Sequence, residues 1–163
     1  MAIGMTSVSG MEVVRRLRLA PLLALWLALL FAAPAAAQAL EPLTLVTASG
    51  EHKFEVEIAK TVDQRAKGLM YRRFMPEDRG MLFEFETNAP VAFWMENTYI
   101  SLDMVFISPD GTVTHIAANA EPLSQAVIPS GGPCIGVLEI NAGVAAKIGL
   151  AVGDKVRAAF FHS

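Results

Sequence analysis

The sequence predicts a mainly β protein: an antiparallel β-sandwich or barrel-like single domain of about eight strands and two short helices, preceded by a cleavable leader. Three observations predict it. Short runs, such as Lys53 to Ile58 and Leu102 to Ile107, either alternate apolar and polar residues or are almost wholly apolar, as half-buried and buried strands do. Turn signals at Ser49-Gly50, Pro109-Asp110-Gly111 and Gly153-Asp154 separate them. Only two segments carry helical spacing, and short turns between consecutive strands favour antiparallel neighbours.

In chain order, Arg15, Arg16 and Arg18 precede an apolar run from Leu19 to Ala33, and Pro34 with Ala35-Ala36-Ala37-Gln38-Ala39 follows. A basic start, an apolar stretch and an A-x-A site are the parts of a signal peptide, so residues 1–39 read as one, cut after Ala37 or Ala39. Met11 would serve as a tidier start than Met1. A retained membrane anchor, which needs about 20 apolar residues, is the alternative. The expected location is therefore periplasmic or secreted, with the membrane met only during export.

Residues 40–163 form the expected domain. Leu43 to Val46 and Lys53 to Ile58 read as a hairpin around Ser49-Gly50, with Phe54, Val56 and Ile58 alternating with Glu55 and Glu57. Thr61-Val-Asp-Gln64 is a capping box, and Val62, Ala66, Leu69 and Met70 extend it as an amphipathic helix to about Tyr71, across the unfavourable Gly68. Met81 to Phe85 and Val91 to Glu96 read as strands linked through Thr87-Asn88. Asp103 to Ile107 and Thr112 to Ala117 form a second hairpin, in which Pro109 presets φ and Gly111 accepts positive φ. Asn119 to Pro133, with three prolines and Gly131-Gly132, reads as a long irregular loop. Val137 to Ile140 is a strand, Val144 to Ile148 a short helix, and Lys155 to Phe161 a last strand.

Charge and cysteine content exclude several classes. The chain has thirteen basic and sixteen acidic residues, and the leader takes three Arg and one Glu, leaving ten and fifteen. An acidic domain lacks the basic footprint of a nucleic-acid partner. Cys134 is the only cysteine, so no internal disulfide and no Cys-rich zinc pattern is available, and His52, His115 and His162 lack ligand spacing. No metal and no cofactor is expected. Cys134 reads as a buried small residue, since a nucleophile would need a His or a helix N-terminus beside it.

The densest segment is Phe93-Trp94-Met95-Glu96-Asn97-Thr98. As a strand it puts Phe93, Met95 and Asn97 on one face and Trp94, Glu96 and Thr98 on the other. Trp94 is then either core or part of a binding surface, where its ring offers area and its N–H a donor. Asp103 and Glu139 sit inside apolar strands, where a carboxylate is either paired or pushed towards neutrality. Arg65 and Arg72, seven apart, would lie on nearly one helix face and could pair with them.

Arg65-Ala-Lys-Gly-Leu-Met-Tyr-Arg72, Gly80-Met-Leu-Phe83, Phe93-Trp-Met-Glu-Asn-Thr98, Leu102-Asp103, Asp110-Gly111, Val137-Leu-Glu139 and Gly153-Asp154 follow one another in the order of a bacterial and archaeal family. The chain resembles the domain-of-unknown-function family 192 over about residues 43–161. The resemblance implies a compact, often exported β-sandwich-like domain and no assigned activity. Glu96 stands where the family usually has Lys, and Ser101 where it usually has Pro before Leu-Asp.

Three functions compete. The first, preferred on these grounds, is a binding or accessory module for a small polar molecule or a peptide, its site framed by Arg65, Arg72, Trp94, Asn97, Asp103 and Glu139. The second is a hydrolase using Asp103 and Glu139 as an acid–base pair, which requires both carboxyls at one cavity. The third is a structural or interaction protein associating through strand edges.

Overall fold

The computed structural model describes residues 39–161, so the leader lies outside the described residues. Seven strands and two short helices run in the order β1 (Glu41–Thr47), β2 (Gly50–Ala59), α1 (Val62–Lys67), β3 (Arg79–Phe93), β4 (Leu102–Ile107), β5 (Val113–Ala120), β6 (Ile128–Asn141), α2 (Val144–Lys147) and β7 (Lys155–Arg157). They build one sheet in the order β5-β4-β6-β3-β2-β1-β7. None of the described helices is long and apolar enough to cross a membrane.

The sheet curls until its two edges meet. Thr112 bridges Lys155, and the Val156 amide donates to the Gly111 carbonyl at 2.7 Å. That closure dictates Gly111: its φ is +76°, and a Cβ there would lie 2.5 Å from the Val156 carbonyl oxygen. Leu45, Phe54, Val56, Leu82, Val105 and Leu138 belong to one buried cluster. Phe83, Met95, Met104, Phe106 and Val137 belong to a second. Strand alternation explains the division: Val105 and Met104 are successive residues and face opposite sides.

The predicted mainly β, barrel-like class is correct; the strand number and pairing sense differ in detail. Two strands are parallel: β2 pairs with β3, Val56 opposite Gly80, because α1 and the following loop form a crossover between them. The two strands expected at Met81 to Phe85 and Val91 to Glu96 are one 15-residue strand, running through Thr87-Asn88 with register shifts between Glu84 and Ala89 and between Pro90 and Ala92 against β6. It ends at Phe93, so the alternating faces expected for Phe93 to Thr98 do not form.

The long loop expected over Asn119 to Pro133 shrinks to the stretch between Ala120 and Ile128. Pro129, Gly131, Gly132 and Pro133 lie within β6. Prolines are tolerated there because β4 pairs with β6 only from Gly136 to Asn141; the earlier half has a ladder partner, β3, on one side only. The last strand stops at Arg157 rather than Phe161.

The helix α1 ends at Lys67, short of Tyr71. Its N-terminus is the predicted capping box: Thr61 Oγ1 accepts from the Gln64 amide at 3.2 Å, and Gln64 Oε1 accepts from the Thr61 amide at 3.0 Å. Its C-terminus is set by Gly68, at φ +47° and ψ −136°, where a Cβ would stand 3.1 Å from the Phe83 ring.

Candidate functional site

A cleft of about 650 Å³ opens between α1 with its following turn and the middle of β3. The volume lies in the range of small-molecule sites. Its walls are Gly68, Leu69 and Met70 on one side and Phe83, Phe85 and Phe93 on the other; Trp94 and Val127 stand at its mouth. Phe93 meets Phe83 edge-to-face at 5.1 Å and Phe85 at 6.4 Å, which fixes the aromatic wall.

Glu139 lines this cleft. It is 4% exposed and lies opposite Met81 on β3 and Met104 on β4, on the face of the second cluster. No donor reaches its carboxyl among the described residues. Burial alone pushes its pKa up to about 8, so near neutral pH it is mostly a protonated acid, able to donate a hydrogen bond.

The cations are at the rim. The Arg65 guanidinium stacks over Phe85 at 5.2 Å, and Nη1 donates to the Glu84 carbonyl at 2.9 Å and to the Lys60 carbonyl. Lys67 lines the same cleft. Neither forms an ion pair among the described residues. The two opposite properties of the site are therefore a neutral acid inside and unneutralised positive charge at the edge.

The remaining predicted residues divide. Trp94 is 53% exposed and at the cleft mouth, so it is not core. Asn97 does not line the cleft; it adopts φ +54° and its carbonyl accepts from the Tyr71 amide at 2.8 Å. Arg72 and Arg65 do not share a face, because α1 ends between them. Arg72 instead forks onto Glu57, Nη1 to Oε1 at 2.5 Å and Nη2 to Oε2 at 2.6 Å, which holds its guanidinium pKa above the ordinary value.

Asp103 and Glu139 are not brought together. Asp103 pairs across from Ile140 and Glu139 from Met104, and Ile140 and Met104 belong to the two different clusters. Asp103 is fully buried, and both its oxygens are occupied: Oδ1 accepts from the Asn119 amide and Oδ2 from the Ala145 amide, each at 2.9 Å. It ties β5 and α2 to the sheet. The acid–base pair required for the hydrolase reading thus lacks a common cavity. Cys134 is buried, and burial raises its thiol pKa, the opposite of an activated nucleophile.

Sequence reasoning missed Phe83, Phe85, Lys67 and Val127. The first two were detectable: in Met81-Leu-Phe-Glu-Phe85 the odd positions share one face, and Phe83 and Phe85 fall on it with Met81.

Three loops converge beside the cleft. The Tyr71 amide donates to the Asn97 carbonyl, the Leu123 amide to the Thr98 carbonyl at 3.0 Å, and the Met95 amide to the Ser124 carbonyl at 2.9 Å. Tyr71, Asn97 and Leu123 all have positive φ, which Asn adopts readily and Tyr and Leu do not. Tyr71, Phe74, Trp94, Tyr99, Leu123 and Val127 are the large exposed apolar groups of these loops.

A single mixed sheet with an apolar cleft defines the class: a small β domain with a ligand-sized depression. The chain belongs to the family DUF192, described as "Uncharacterized ACR", whose model matches residues 44–158. Among solved structures it is similar to a protein of Sinorhizobium meliloti 1021 described as a proposed transcription regulator, at 47% identity and TM-score 0.75, covering 77% of this chain and 98% of that one. It is also similar to a protein of unknown function from Novosphingobium aromaticivorans DSM 12444, at 42% identity and TM-score 0.73, covering 77% and 89%. No curated protein matches it.

Proposed function

We propose that the domain is a binding module for a small molecule, seated in the cleft between α1 and β3, and that it works in the periplasm or outside the cell. The observation that carries the reading is Glu139: an unpartnered carboxyl, 4% exposed, lining a cleft walled by three phenylalanines. A buried polar group without a partner costs stability, and a ligand group would supply the missing partner. The location rests on the leader pattern of Arg15, Arg16 and Arg18, an apolar run and an A-x-A site. A DNA-facing role, suggested by the description of the Sinorhizobium protein, is not carried over, because ten basic against fifteen acidic residues after the leader is the wrong balance for a polyanion.

The test uses 1-naphthoate, whose flat apolar body suits the aromatic wall. At about 0.3 kcal/mol per heavy atom its 13 atoms give a Kd of about 1 mM. Saturation-transfer NMR on the folded protein should detect it. Val91→Trp, which adds an indole on the cleft face of β3 beside Phe93, should abolish the signal. Undiminished binding to that variant would remove the cleft from the proposal.

A further inference from the structure

We infer that the ligand is an amphipathic anion with a hydrogen-bond acceptor on its apolar end: the acceptor, a carbonyl or ether oxygen, meets Glu139, the flat body lies along Phe83, Phe85 and Phe93, and the anionic group sits at Arg65 and Lys67. This rests on the small-molecule reading above and narrows it to a class.

The argument is one of complementary polarity. Glu139 has Met81 and Met104 as its cross-strand neighbours, and the only other titratable side chains lining the cleft are Arg65 and Lys67. Asp103 and Glu84 are on the opposite face of their strands from Met104 and Phe83. Among the described residues no second carboxylate lines the cleft, and no cation pairs with Glu139 there. A protonated carboxyl has one O–H to donate, and an acceptor on the ligand satisfies it. A bare alkyl end would leave it unpaired in an apolar site.

A cationic ligand is the opposite case. It would need Glu139 ionised, and it would have to pass Arg65 and Lys67, whose charges repel it. Arg65 is already fixed by two backbone carbonyls and by Phe85, so its remaining N–H donors are held in place before a ligand arrives. Lys67, exposed at the end of α1, adds charge without fixed geometry.

Two isosteric probes separate the terms: 4-acetylbenzoate, with a carbonyl opposite its carboxylate, and 4-isopropylbenzoate, which has the same shape without the acceptor. Isothermal titration at pH 6.5 should show the acetyl compound binding about tenfold tighter, the worth of one hydrogen bond in a desolvated site. Glu139→Leu should erase that preference. Glu139→Gln, whose amide also donates, should keep it, and should keep it at pH 9.5, where the wild type loses it. Arg65→Ala should weaken both benzoates alike by several-fold. Equal affinity of the two benzoates for the wild type, or tighter binding of (4-acetylphenyl)trimethylammonium than of 4-acetylbenzoate at pH 6.5, overturns the inference while the cleft remains a binding site. Failure of every probe to bind at 10 mM would instead strike the small-molecule reading itself.

Discussion

Replacing Glu139 by Gln should make the protein more stable above pH 6, by an amount that grows with pH. The carboxyl pKa rises from the ordinary 4.5 to about 8 on folding. The folded state therefore keeps a proton that the unfolded chain releases, so stability is intact below pH 4.5 and falls as pH climbs towards 8. At about 1.4 kcal/mol per unit, the full loss is about 5 kcal/mol above pH 8, and about 3 kcal/mol of it is present at pH 7. Gln fills nearly the same volume and does not titrate, so any cost of its amide is constant across pH. Urea unfolding of both proteins from pH 4.5 to 8.5 measures the difference, in which the other carboxylates cancel. The variant should gain about 3 kcal/mol relative to wild type between pH 4.5 and pH 7. A difference that stays flat over that interval would mean Glu139 is solvated or paired, and the argument for a neutral acid in the cleft would fall.

Asp103→Ala should cost about 3 kcal/mol, because it orphans the buried amide of Ala145 and removes the partner of the Asn119 amide; a denaturant midpoint shift of that size is the expected result. Gly111→Ala should cost at least about 2 kcal/mol in the same assay, since its Cβ would collide with the Val156 carbonyl at 2.5 Å and its φ is +76°. Leu123→Gly should change stability by less than about 1 kcal/mol, because relief at φ +62° offsets the added freedom of the unfolded chain, whereas Leu123→Val should lose more than the Gly variant despite its closer likeness to Leu.

Which parts were legible in the sequence follows from how local their causes are. The hairpins at Ser49-Gly50 and Pro109-Asp110-Gly111 and the cap at Thr61 and Gln64 are set by residues within a few positions of each other, and the chain alone specifies them. The parallel pairing of β2 with β3 is not local: it depends on how α1 folds back, and no residue between Lys60 and Arg79 encodes it directly. The proline-bearing half of β6 was misread for a related reason. Pro129 and Pro133 look like loop residues until β4 is known to stop short of them, leaving one side of the strand without a ladder. At the site, Arg65, Trp94 and Glu139 were identified by residue type. Arg72, Asn97 and Asp103 were not distinguishable from them, because a salt bridge to Glu57, a left-handed backbone angle and two backbone amides are all made with residues distant in sequence or invisible to it.

The distribution of energetic cost argues that the cleft is a working surface rather than a packing defect. A fold selected for stability alone would place Leu or Gln at position 139 and Gly or Asn at positions 71 and 123. The chain instead carries an ionisable group costing about 3 kcal/mol at pH 7 and two non-glycine, non-asparagine residues in left-handed conformation at about 1 to 2 kcal/mol each. All three lie in or beside the same depression, where Tyr71 and Leu123 clamp the segment carrying Thr98 and Trp94. On the other face the acid Asp103 has both oxygens paired with backbone amides. Strain and desolvation gathered at one depression mean that the surrounding structure holds these groups against their own preference. A ligand that accepts the Glu139 proton in a hydrogen bond would return part of that cost as binding energy, and the unliganded domain should accordingly be the least stable form at every pH below 8.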